Sequence, residues 1–217
     1  MTFLKGLHYN NILIYNLITK LKFKGFEKLR FDIAKNLIRD GESVLDICSG
    51  PGELRKFLPE TCTYAAVEMS PKFIDHLQKN NVQTFSINLH DDEFNLDYEV
   101  DTIIMIYSLY QFKNTSARNL LNEFKRVATK KVIIVEEILE EKNEGIPSKY
   151  SSLYIAQRIG MVARDYLCSL DFYKPTNLFG EDEFKKLMSD GGYQITSLSN
   201  MCTVAVYDKS EQASQYS

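Results

Sequence analysis

The 217-residue sequence predicts an α/β protein: a mostly parallel, doubly wound sheet with helices on both faces. Three observations point there. From residue 26 to residue 136, short apolar and β-branched runs alternate with segments of helical period. The runs are near-continuous in apolar residues, as strands covered on both faces are. The first run ends in Cys48-Ser49-Gly50-Pro51-Gly52, a glycine cluster in a chain with 10 glycines in all.

The elements follow in order. Phe26, Leu29, Ile33 and Leu37, with Ala34 and Ile38 beside them, repeat every three or four residues and predict a helix. Ser43 to Ile47 is the first strand, and Glu53 to Leu58 reads as a helix stopped by Pro59. Thr63 to Glu68 is the second strand. Ser70-Pro71 opens a helix with Ser at the N-cap and Pro in the first turn, and Asn80-Asn81 ends it. Val82 to Ile87 and Asp101 to Ile106 are the third and fourth strands. A helix from about Thr115 to Val127 follows, carrying Leu120, Leu121 and Phe124 on one stripe. Val132 to Val135 is the fifth strand, bounded by Lys130-Lys131 and Glu136-Glu137.

The rhythm then changes. Glu140 to Ser148 is a charged loop, and Tyr150 to Leu170 carries a long helical stripe through Leu153, Ile159, Ala163 and Leu167. Glu181 to Met188 is the last helix. Asp190-Gly191-Gly192 leads into Tyr193 to Leu198 and Met201 to Tyr207, an antiparallel hairpin. From Asp208 the chain reads as a polar tail. No internal repeat is present.

Composition excludes several classes. With 44% hydrophobic and 25% charged residues the chain is globular, and its net charge is −3. Residues 1–40 hold eight Lys/Arg against three Asp/Glu, which leaves −8 for the remainder. The basic run Lys20, Lys22, Lys24, Lys28 and Arg30 follows the apolar Ile12 to Ile18. Such a basic amphipathic segment, residues 10–30, can make peripheral contact with an anionic membrane or meet a phosphorylated substrate, but a core-packing helix with a solvated basic rim is the favoured reading. An acidic chain without a basic fold motif argues against nucleic acid as partner. Cys48, Cys62, Cys168 and Cys202 form no C-x-x-C pair, so neither a disulfide framework nor a metal centre is expected. No run reaches the ~18 apolar residues of a membrane span, and no secretory leader is evident. The expected setting is the cytoplasm.

In an open α/β sheet, ligands meet the carboxyl ends of the strands. At the first such end, Asp46 and Gly50-Pro51-Gly52 let bare backbone approach a ligand, with the N–H groups of the next helix aimed at the same spot. The dinucleotide fingerprint would need a third Gly where Arg55 stands, and no P-loop is present. Glu68 ends the second strand, where a carboxylate can accept hydrogen bonds from ribose hydroxyls.

Val44-Leu45-Asp46-Ile47-Cys48-Ser49-Gly50-Pro51-Gly52 resembles the first motif of class I S-adenosylmethionine-dependent methyltransferases. Val67-Glu68-Met69-Ser70 resembles the second, Asn88-Leu89 stands where the third falls, and Asp101 to Phe112 is similar to the fourth-strand motif. The resemblance spans about residues 9–207. It implies a Rossmann-like seven-stranded sheet of order 3-2-1-4-5-7-6 with strand seven antiparallel. Residues 1–40 would be an N-terminal helical lid, 41–208 the methyltransferase domain with a substrate-side insertion at about 140–180, and 209–217 the tail.

The implied cofactor is S-adenosylmethionine. Asp46, Cys48, Ser49, Gly50 and Gly52 would cradle its methionine part, Glu68 the ribose, Met69, Asn88 and Leu89 the adenine, with Ile106 and Tyr107 lining the pocket. Two departures stand out. Cys48 sits where the family most often has Gly, and Asn88 replaces an acidic residue. Tyr9, Tyr15, Tyr110, Tyr154 and Arg158 are the candidates for the acceptor pocket. Tyr110 occupies the place of a common His, so no acid/base His is expected there. An activated methyl demands no particular catalytic side chain, and none is assigned. The Tyr9–Tyr15 spacing resembles the quinone-biosynthesis and phospholipid N-methyltransferase branch, implying a small-molecule acceptor of hydrophobic or lipid-like kind, with a polar small metabolite standing nearly level with it. A nucleotide-dependent oxidoreductase and a non-catalytic cofactor-binding subunit remain open beside it.

Overall fold

The computed structural model describes residues 26–90, 94, 96–112, 114–136, 179–199 and 202–214, together with Ile12. The predicted loop and helix over 140–170, the pocket candidates Tyr9, Tyr15, Tyr154 and Arg158, and all of the basic apolar segment except Ile12 and residues 26–30 lie outside the described residues.

Seven strands form one sheet: β1 Ser43–Ile47, β2 Thr63–Glu68, β3 Gln83–Ser86, β4 Val100–Ile106, β5 Ala128–Glu136, β6 Gln194–Ser199 and β7 Cys202–Asp208. Their order is β3-β2-β1-β4-β5-β7-β6. The first five run parallel, and β7 is antiparallel to both its neighbours. This is the order and polarity implied by the motifs.

The helices are α1 Phe26–Leu37, α2 Pro71–Lys79, α3 Asn114–Val127, α4 Glu181–Asp190 and α5 Lys209–Ser214. They divide between two faces because alternate strand residues point to opposite sides. Leu45, Ile47, Ile103, Met105, Val132 and Ile134 meet Leu121 and Phe124 of α3 and Phe184 and Met188 of α4 on one face. On the other, Val44, Ile104, Ile133 and Val135 meet Ile33 of α1 and Leu54. Leu77 of α2 packs with Ala66 and Val82 on that side. At the sheet end away from the β1 turn, Lys131 Nζ lies 3.1 Å from the buried Glu42 carboxylate, to which Thr102 also donates.

Three expectations are corrected. The segment after the glycine turn is a 3₁₀ helix, Glu53–Phe57, one residue shorter than expected, because Leu58 turns extended ahead of Pro59. β5 runs through Lys130-Lys131 to Glu136 instead of stopping at 132 and 135. Its charged residues find partners far along the chain, so charge does not end the strand. Lys209–Ser214 of the expected tail is helical, and Asp208 Oδ1 accepts the Ser210 N–H at 2.8 Å as an N-cap does.

Candidate active site

β1, β2, β4 and β5 deliver their carboxyl ends to one rim of the sheet. Asp46 and Glu68 share a face there, since Tyr64, Ala66 and Glu68 alternate along β2 and Tyr64 hydroxyl donates to Asp46 Oδ2 at 2.7 Å. Asp46 is 5% exposed and Glu68 8%. Burial raises Asp46 to about 7, against the opposing effects of the Tyr64 hydrogen bond and the Arg30 guanidinium; the Glu68 charge adds to the rise.

Glu68 is held on three sides. Its Oε2 accepts the Gly50 N–H, and its Oε1 accepts the Met69 and Ser70 N–H groups, all at 2.8 Å. Burial raises its pKa while these donors pull it back. Backbone geometry around it is left-handed at Cys48, Gly50 and Gly52, with φ of 55°, 58° and 76°. Gly50 thereby turns its N–H to Glu68. Gly52 has a second reason: a Cβ there would stand 2.6 Å from Leu77 Cδ2. Its bareness serves packing against α2 and not only ligand approach.

The other predicted residues fall as follows. Ser49 is buried, donating its N–H to Val67 O at 3.3 Å. Cys48 is half-buried, and burial pushes its thiol pKa well up, with Ser108 as hydrogen-bond partner. Met69 is 52% exposed beside Glu68. Asn88 Oδ1 accepts the His90 N–H at 3.2 Å. Leu89 is buried in the core with its side chain among β1, β2 and β4 residues. Ile106, the last residue of β4, and Tyr107 just beyond it are half-buried against the α1-side core, and Tyr110 against the α3-side core. Tyr107 is itself left-handed, φ 50°.

Three residues at this rim escaped the sequence reading. Arg30 precedes Ile33 and Ala34 by three and four residues, so its place on the buried stripe of α1 was visible; it read as a solvated cation. Tyr64 shares the period-two face of Glu68. Glu136 ends β5 and is 1% exposed.

S-adenosylmethionine, implied by the motifs, carries a sulfonium cation, a zwitterionic amino-acid end and a ribose diol. The residues present fit it. Asp46, buried at the rim, would meet the ammonium, Arg30 near it suits the carboxylate, and Glu68 is an oriented acceptor for the diol.

Comparison with known proteins decides the family. A family model for a methyltransferase domain matches residues 22–198. The chain belongs to the methyltransferase-domain family. No curated protein sequence matches it. Among solved structures, this methyltransferase-family chain is similar to a SAM-dependent methyltransferase from Aquifex aeolicus (TM-score 0.53, 17% identity, 87% of this chain and 91% of that one). It is also similar to magnesium protoporphyrin IX methyltransferase from Synechocystis PCC 6803 with bound SAM (TM-score 0.55, 13% identity, 84% and 79%). The pyocyanin biosynthetic protein PhzM matches with TM-score 0.58 at 15% identity over 82% of this chain. The chain spans only 53% of PhzM's length. At these identities the likeness is one of fold.

Proposed function

We propose that the chain transfers a methyl group from S-adenosylmethionine to a small-molecule acceptor with an apolar or aromatic surface. The observation that carries the reading is the pair of buried carboxylates, Asp46 and Glu68, at the adjoining ends of β1 and β2, the second bonded to the glycine turn. Asp46 and Arg30 would hold the two charges of the amino-acid end. Glu68 would orient the ribose, with Met69 and Asn88 at the adenine.

When bound, the cofactor supplies a methyl already activated on a sulfonium. The protein's own task is positioning and exclusion of water: a nucleophile held ~3–3.5 Å from the methyl gains several kcal/mol over free encounter. Tyr110, half-buried beyond β4, is the described candidate for the acceptor side, with Tyr107 on the cofactor side. An aromatic ring facing a methyl-bearing cation contributes ~0.5–2 kcal/mol.

The apolar Ile12 to Ile18 segment and the tyrosine-rich insertion support an acceptor of apolar character. So does the macrocyclic acceptor named for the Synechocystis relative. The test is label transfer from methyl-labelled S-adenosylmethionine to two panels, one of planar phenols and lipid-like amines, one of sugars and amino acids. Label is expected in the first. Label confined to the second would contradict the acceptor class and leave the methyl-donor reading standing.

A further inference from the structure

The carboxyl ends of β1, β4 and β5 are neighbours in the sheet, and a set of hydrogen bonds ties them into one unit. Tyr107 N–H donates to Val135 O at 2.8 Å. Two residues on, Leu109 N–H donates to Oε1 of Glu136 at 2.5 Å. Gln111 N–H closes the turn onto Ser108 O at 3.2 Å, and the Ser108 side chain reaches Cys48 of the β1 turn. The backbone inside this unit is strained: Cys48 and Tyr107 both lie in the left-handed region. A bulky side chain there is strained and persists only where the surroundings over-determine it.

Glu136 is 1% exposed, and burying a carboxylate is expensive unless it is hydrogen-bonded or paired. Its contact joins the end of β5 to the first amide of the Leu109–Gln111 turn. That turn carries Tyr110, and Tyr107 stands just before its N-cap, Ser108. Tyr107 is tied to β5 by its own amide on Val135 O, and Tyr110 through the turn that Glu136 holds.

We propose that Glu136 is a positioning residue of the methyl-transfer site: its carboxylate fixes the turn after β4 that follows Tyr107 on the cofactor side of the rim. The proposal rests on the methyltransferase reading above. Glu136 acts through the turn and is not assigned contact with cofactor or acceptor.

The test uses the full chain and S-adenosylhomocysteine as probe, titrated by calorimetry, with amide hydrogen exchange over residues 107–112. Glu136→Gln keeps an acceptor oxygen for the Leu109 N–H and should bind within about threefold of the parent. Glu136→Asp, one methylene too short to reach, should bind about tenfold or more weakly and exchange faster over 107–112, the scale of effect expected from a displaced site. Glu136→Leu should behave as Glu136→Asp; if it does not fold, the Asp variant alone decides. Glu42→Gln, which alters an equally buried carboxylate at the far end of the sheet, should leave affinity unchanged. Equal affinity in the Asp and parent proteins overturns the proposal. So does Gln failing to rescue, which would make charge and not turn geometry the agent. If the parent itself binds no probe, the methyltransferase reading falls, and the proposal with it.

Discussion

Gly50 donates its amide proton to Glu68 Oε2 at 2.8 Å, so the turn after β1 closes onto the end of β2. The same carboxylate takes the Met69 and Ser70 amides, using three of its roughly four acceptor positions. Glu68 is thus built into the backbone before any ligand is considered, and its orientation is preset.

Replacing Glu68 by Gln sets an NH₂ group against backbone donors. At least one buried N–H is left unpaired, at ~1–3 kcal/mol. The thermal midpoint should drop by roughly 2–12 °C, given ~2–4 °C per kcal/mol for a chain of this size. Most of the midpoint rise caused by S-adenosylmethionine should vanish as well. Scanning calorimetry with and without cofactor reads both effects.

Asp46 predicts opposite pH trends for stability and binding. Its pKa is 3.8 unperturbed and about 7 in the folded chain, because burial disfavours the charge. The folded state therefore holds a proton the unfolded chain releases. This contribution to stability is fully present below about 4 and lost as pH rises through about 7. Relative to Asp46→Asn, the parent should lose stability between pH 6 and pH 8. A cationic cofactor needs the ionised form, so its affinity should fall towards tenfold per pH unit below 7 in the parent only. Denaturation and titration series at pH 6, 7 and 8 separate the two.

The Glu42–Lys131 pair at the opposite end of the sheet supplies a contrast. Lys131→Met leaves the buried Glu42 without its cation and should cost ~3–5 kcal/mol. Affinity for S-adenosylhomocysteine should stay the same. A matched loss of affinity would show that the sheet transmits damage from end to end, and the local reading of the rim would not survive it.

Residues 10–30 are proposed to contact anionic membranes through their basic and apolar groups. Sedimentation with vesicles of neutral lipid plus a fifth phosphatidylserine should pull the chain down at low salt and release it at high salt. Equal sedimentation with purely neutral vesicles would count against electrostatic contact. Among the described residues, no helix is long and apolar enough to cross a membrane.

Much of the fold was legible because strand and helix periods differ. Ser43–Ile47, Thr63–Glu68 and the Ser70-Pro71 helix start stand as read. The misreadings share a physical cause: a local pattern does not show a distant partner. Lys131 looked like the edge of a strand, yet its counter-charge is Glu42, 89 residues away in sequence. Arg30 looked solvated, yet it faces Asp46 across the packing of α1 on the sheet. The α5 helix carried a signal that was passed over, the Asp208-x-x-Glu211 cap pattern. At the rim, motif reading located Asp46, Gly50 and Glu68 but not the hydrogen bond from the Gly50 amide to Glu68. It depends on left-handed backbone at Cys48 and Gly50, which composition does not announce.

The most direct measurement is a calorimetric titration of the full chain with S-adenosylhomocysteine at pH 8, repeated on Glu68→Ala. One site per chain with a dissociation constant in the micromolar range is expected, lost in the variant, together with a midpoint that climbs with ligand concentration. Absence of heat and of any midpoint shift at millimolar ligand would contradict a cofactor site at the ends of β1 and β2.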